Sequence, residues 1–169
     1  MLFRSFGRKL MQTAGTVNIQ GNALDSSGVA LADGLNDVSG FTLALGGGSN
    51  AFTSNTQIND LDASGSSWNF GTNDAIVTTF GIDGGDATSL NGQVNVIDTN
   101  QGSLGVGTNL AGMSTVGEDG GSAFASSFQG NDITTHNGAF AGGLNVASIG
   151  TFADDGGVAT AFSSQTNVI

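Results

Sequence analysis

The chain has no cysteine, no proline and no tyrosine, and a single histidine in 169 residues. Without cysteine there is no disulfide framework, no thiolate metal site and no cysteine nucleophile. A serine-histidine pair or an imidazole metal centre would have to rest on His136 alone, so the composition argues against an enzyme. Charge is scarce too, at 10% of residues, and positive charge almost absent: Arg4, Arg8 and Lys9 are the whole supply. From Leu10 onward the chain is acid-only, and its fourteen acids give that body a formal charge of −14. Such a body is unsuited to nucleic acid or anionic lipid. No window approaches the roughly 18 apolar residues that span a bilayer, so membrane insertion is not expected. The opening MLFRSFGRKLMQTA carries basic residues but lacks the apolar run of a secretory signal.

What is present is glycine, at 29 residues, and a repeat. One pattern recurs five times: Ala, five residues, Gln, one residue, Asn, one residue, then Ile or Leu. Its amides are Gln20 and Asn22, Gln57 and Asn59, Gln93 and Asn95, Gln129 and Asn131, and Gln165 and Asn167. Successive copies are offset by 37, 36, 36 and 36 residues. Between them a second element, Gly-x-Asn-x-Ala/Val followed four residues later by Thr, occurs four times, with Asn36, Asn73, Asn109 and Asn145. The one extra residue falls beside Gly46, Gly47 and Gly48, where a glycine turn can absorb it.

Both elements read with period two, which is strand periodicity. Glycines such as Gly84, Gly120 and Gly156 punctuate them as corners. A long unit of short strands at one fixed period predicts an all-β fold, a β-solenoid with about 36 residues per turn. Residues 1–13 form a basic N-terminal arm, and residues 14–169 form four and a half turns. Equivalent side chains then stack, Gln over Gln and Asn over Asn, as amide ladders of the kind found in cross-β packing. Leu31, Trp68, Leu104 and Phe140 make one apolar column, and Leu43, Phe80, Val116 and Phe152 another. Trp68 reads as core. Phe52, Phe124 and Phe162 lie off the amide face.

The last repeat stops half-way through a turn at Ile169. An open strand edge templates further pairing, so a neighbouring subunit is expected to complete the turn. Head-to-tail addition of that kind does not close and yields a filament. The expected partner is therefore a second copy, with Arg4, Arg8 and Lys9 as a contact arm lying on the acidic columns of an adjacent subunit.

The spaced small residue, Gln and Asn, the Gly-x-Asn-x-Ala element (Gly71 to Ala75, Gly107 to Ala111, Gly143 to Ala147) and the absence of Pro and Cys resemble bacterial functional-amyloid subunits. Two groups are similar: the curlins, whose repeats are shorter, and the Fap-type fibre subunits, whose repeats are closer in length. The resemblance implies an extracellular β-solenoid fibre of biofilm-matrix type.

The acids offer the remaining site chemistry. Asp83, Asp119 and Asp155 share a column beside the glycine corners, next to Glu118 and Asp154, while Asp25, Asp62 and Asp98 form another. Repeated carboxylates at glycine turns either hold calcium, at Asp83, Asp119 and Asp155, or stay as solvated corners. Apart from calcium no cofactor is expected. His136 reads as a surface turn residue. Two other functions fit the pattern: a calcium-dependent repeat adhesin segment, and an ice-binding β-solenoid displaying the Thr42, Thr79, Thr115, Thr151 column.

Overall fold

The computed structural model describes residues 13–168. Nine strands follow one another: β1 (Thr13–Ser26), β2 (Leu31–Leu45), β3 (Asn50–Ala63), β4 (Trp68–Ile82), β5 (Asp86–Asn100), β6 (Leu104–Gly117), β7 (Ala123–His136), β8 (Phe140–Ala153) and β9 (Ala159–Val168). Odd strands pair in parallel as β1-β3-β5-β7-β9, and even strands as β2-β4-β6-β8. The chain thus winds as a β-solenoid, with an odd strand, a corner, an even strand and a second corner in each turn.

The register follows the sequence repeat. Gln57 lies between Gln20 and Gln93, and Gln129 between Gln93 and Gln165. In the other sheet Asn36, Asn73, Asn109 and Asn145 are successive partners. Neighbouring turns are therefore about 4.8 Å apart, one strand spacing.

Two kinds of corner close each turn. After β4, β6 and β8 come Asp83-Gly84, Asp119-Gly120 and Asp155-Gly156, in which both residues have positive φ. Asp tolerates this left-handed conformation better than most side chains and Gly adopts it freely, which is why Asp-Gly is placed there. Gln101-Gly102 and Asn137-Gly138 do the same after β5 and β7. The longer β2–β3 corner takes up the extra residue, with Gly46 and Gly48 at positive φ.

The interior is narrow and mostly polar. Along β5, Ala87, Ser89, Asn91, Gln93, Asn95, Ile97 and Thr99 alternate as buried positions. Among the described residues, aliphatic packing forms two small clusters: Leu61, Ile97 and Ile133 with Leu24 and Ala141 against them, and Val77, Met113 and Ala125 with Ile149. Sheets this close leave no room for a side chain at some positions. A Cβ on Gly107 would lie 2.6 Å from Asn131 Oδ1 and 2.9 Å from Ile97 Cδ1.

The two predicted apolar columns exist as columns, but they face outward. Leu31 pairs with Trp68, Trp68 with Leu104 and Leu104 with Phe140. Leu31 and Phe140 are each 72% exposed and Trp68 is 55% exposed, so Trp68 is not core. In the second column Leu43 and Phe152 are exposed, while Phe80 and Val116 are half-buried on the same outer face. Parity is the physical reason: successive side chains of a strand point to opposite faces. Leu31 and Leu43 stand an odd number of residues from the inward Asn36. Phe52, Phe124 and Phe162 also point outward, and Phe124 and Phe162 meet with ring centroids 5.9 Å apart.

Candidate functional site: amide ladders and open end strands

A strand interior that buries amides must satisfy every N–H and C=O, because a lone buried amide costs several kcal/mol. The solenoid does so by using each side chain twice. Gln93 Nε2 donates to Gln57 Oε1 of the preceding turn at 2.7 Å and to the carbonyl of Leu110 across the interior at 2.6 Å. Gln129 repeats this with Gln93 at 2.7 Å and the Val146 carbonyl at 2.8 Å. Gln57 donates to Gln20 at 3.4 Å and to the Asp74 carbonyl at 2.7 Å, and Gln165 donates to Gln129 at 3.0 Å. Among the described residues, no buried side-chain polar atom lacks a partner.

The two asparagine series, one on each sheet, merge into a single zigzag. Asn59 Nδ2 donates to Asn73 Oδ1 at 3.1 Å on the facing sheet and to Asn95 Oδ1 at 3.0 Å one turn on. Asn73 Nδ2 in turn reaches Asn95 Oδ1 at 3.1 Å, Asn109 Oδ1 at 2.8 Å and the Val94 carbonyl at 3.0 Å. The same links connect Asn22 to Asn36 at one end and Asn145 to Asn167 at the other. Fixed spacing in the sequence marks each series, but their meeting depends on how the facing sheets are offset.

Two further ladders escaped the sequence reading. Asn18, Asn55, Asn91 and Ser127 bond in file, with 3.0, 2.7 and 3.2 Å between successive members. An Asn two residues before Gln20, Gln57 and Gln93, with Ser127 and Ser163 at the same place before Gln129 and Gln165, is the available signal. Hydroxyls make the other ladder: Thr16, Thr42, Thr53, Thr79, Ser89 and Thr115 alternate between the sheets at 2.8 to 3.0 Å. Thr42, Thr79 and Thr115 are thus buried and Thr151 of the same column is half-buried, so the column expected as an ice-binding surface faces the interior.

Ladder polarity is uniform. In each step the Gln of the later turn donates Nε2 to the earlier Oε1, whereas the Asn of the earlier turn donates Nδ2 to the later Oδ1. The β1 end also exposes the interior as an open mouth, with Thr16, Asn18, Gln20, Val38 and Gly40 on its walls.

The acidic corners stack as the sequence predicts. Asp119 Nα donates to Asp154 Oδ1 at 2.8 Å. Desolvation, and then the like charges of Asp83, Asp154 and Asp155, hold the Asp119 carboxyl above its ordinary value of 3.8. Among the described residues no group of three or more Asp, Glu or His side chains comes together closely enough to hold a metal ion. Asp25, Asp62 and Asp98 run along the outer face of β1, β3 and β5. His136 ends β7 at the surface, 3.9 Å from Asp98 Oδ1. Ser67 Oγ donates to the Ser64 carbonyl at 2.9 Å, a structural bond within its corner. Arg4, Arg8 and Lys9 lie outside the described residues, as does the arm assigned to 1–13 except Thr13, which begins β1.

No family model, no curated protein and no solved structure matches the chain.

Proposed function

We propose that the chain is a structural subunit, without catalytic activity, that joins head to tail into an extracellular filament of the biofilm-matrix type. The observation that carries the reading is the polarity of the ladders. Repeating the same step beyond β9 requires a Gln that donates toward Gln165 Oε1 and an Asn that accepts from Asn167 Nδ2. Gln20 and Asn22 on β1 of a second copy have that donor and that acceptor, at the same separation along the strand. Within the odd sheet, two copies meeting β1 on β9 therefore match in backbone pairing and in side-chain polarity, with one strand position left between β8 and the next copy's β2 in the shorter even sheet, whereas β1 on β1 opposes donor to donor at the Gln. Such contacts are heterologous and do not close. The extracellular placement rests on the resemblance to curlin and Fap-type subunits.

Electron microscopy of the purified protein, with fibre diffraction, tests the reading. Unbranched filaments with a meridional spacing of about 4.8 Å are expected. A protein that stays monomeric in sedimentation at every concentration overturns it.

A further inference from the structure

The two outer faces of the solenoid differ in kind. On the odd sheet, Asp25, Asp60, Asp62, Asp98 and Asp132 project outward from four strands, among large apolar side chains at about a third of the outward positions. On the even sheet more than half of the outward positions of β2, β4, β6 and β8 carry Leu, Ile, Val, Phe or Trp. Its acids within the strands are Asp33, Asp37 and Asp74, all on β2 and β4. Between the Trp68 and Phe80 columns large side chains such as Phe70, Ile76 and Leu110 alternate with small ones, and a patch of small residues, Gly112, Ser114, Ser148 and Gly150, lies beside the Phe80 column on β6 and β8. An amide-filled interior leaves most of the large apolar side chains outside, and the even face carries the larger share of them with fewer acids.

We infer that the even-sheet face pairs with the same face of a second copy, so that the filament proposed above is two solenoids wide. The inference rests on that filament reading. Area argues for this occupant. β4 has 15 residues, about 50 Å at 3.3 Å per residue, and four strands stack to about 19 Å, so the face is about 900 Å². A stable protein interface needs about 800 Å² from each partner. Large and small side chains on neighbouring strands of this face, such as Ile76 beside Gly112 and Leu144 beside Thr108, let two such faces interdigitate as a dry sheet-to-sheet contact. Setting the β2–β4 end of one copy against the β6–β8 end of the other keeps Asp33, Asp37 and Asp74 of the two copies apart.

The test compares the full chain with the double substitution Leu104→Glu, Val116→Glu on this face, and with Leu90→Glu, Val94→Glu on the odd face. All four side chains are half-buried and point outward, so the winding survives, as circular dichroism will verify. Mass per length of the parent filament is expected at two solenoids, about 72 residues for every 4.8 Å of axis. It falls twofold in the Leu104/Val116 variant and is unchanged in the Leu90/Val94 variant. A parent filament of one solenoid overturns the pairing and leaves the filament reading intact. Should no filament form, the proposed function fails, and sedimentation decides the pairing: a parent dimer that becomes monomeric in the Leu104/Val116 variant upholds it, and a parent monomer overturns it.

Discussion

Each interior glutamine has three neighbours and no redundancy. Gln93 is fully buried; it donates to Gln57 and to the Leu110 carbonyl and accepts from Gln129. Leucine fits the volume but strands those groups, and leaving buried donors or acceptors unpaired costs about 1–3 kcal/mol each. Gln93→Leu is therefore expected to lower the unfolding free energy by about 3 kcal/mol or more in denaturant titration, while an exposed change such as Asp132→Asn has little effect. Glycines divide by the same logic of space. Gly107→Ala pushes a methyl against Asn131, Asn95 and Ile97 and should cost about 1–3 kcal/mol. Gly142, on the outer face, meets nothing within 4 Å, so Gly142→Ala should be neutral in the same assay.

At the scale of the element, strands and corners follow different rules, and they differ in how much the sequence reveals. Amide ladders were legible because a ladder demands the same residue at every turn: Gln57 over Gln20 is both a sequence period and a hydrogen bond. The outward course of Leu31 and Trp68 is written in the same residues, as parity against Asn36 and Asn73, but a large apolar column reads as core because most interiors are apolar. The joining of the two Asn series was not legible, since no spacing within a strand encodes the offset of the facing sheet. Corners show their own energetics in the Asp119 column. Partial desolvation at the exposed corner, and then neighbouring carboxylates, raise the folded-state pKa of Asp119, so the folded state holds that proton more tightly than the unfolded chain. The contribution is fully present below the ordinary value of 3.8 and is lost as pH rises through the raised value. Asp119→Asn keeps a residue that tolerates positive φ and removes the charge. Its unfolding midpoint is expected to vary less with pH than the parent's just above 3.8, and an unchanged pH profile would count against the corner repulsion.

Seen as a whole molecule, the solenoid is a stack in which each turn touches chiefly the turns above and below, so stability accumulates by nearest neighbours. Whole turns should then be removable. Deleting residues 87–122 joins Asp86 to Ala123, which occupies the register position of Ala87, and every ladder closes with one rung fewer. The shortened chain is expected to keep its strand content in circular dichroism and to melt somewhat lower. A deletion of half that length sets odd strands on even ones and should abolish the cooperative transition.

The scarcity of oil in the interior has a calorimetric consequence. Exposing apolar surface raises the heat capacity of a chain and exposing polar surface lowers it, with a usual net of about 12–15 cal/mol/K per residue on unfolding. Here melting releases amides, hydroxyls and peptide groups from the inside, while Leu31, Phe140 and Trp68 already face water in the single chain. Scanning calorimetry of the unassembled protein should therefore return an increment below that range. A smaller increment flattens the dependence of stability on temperature, so the solenoid should hold nearly the same free energy of unfolding in the cold as in moderate warmth.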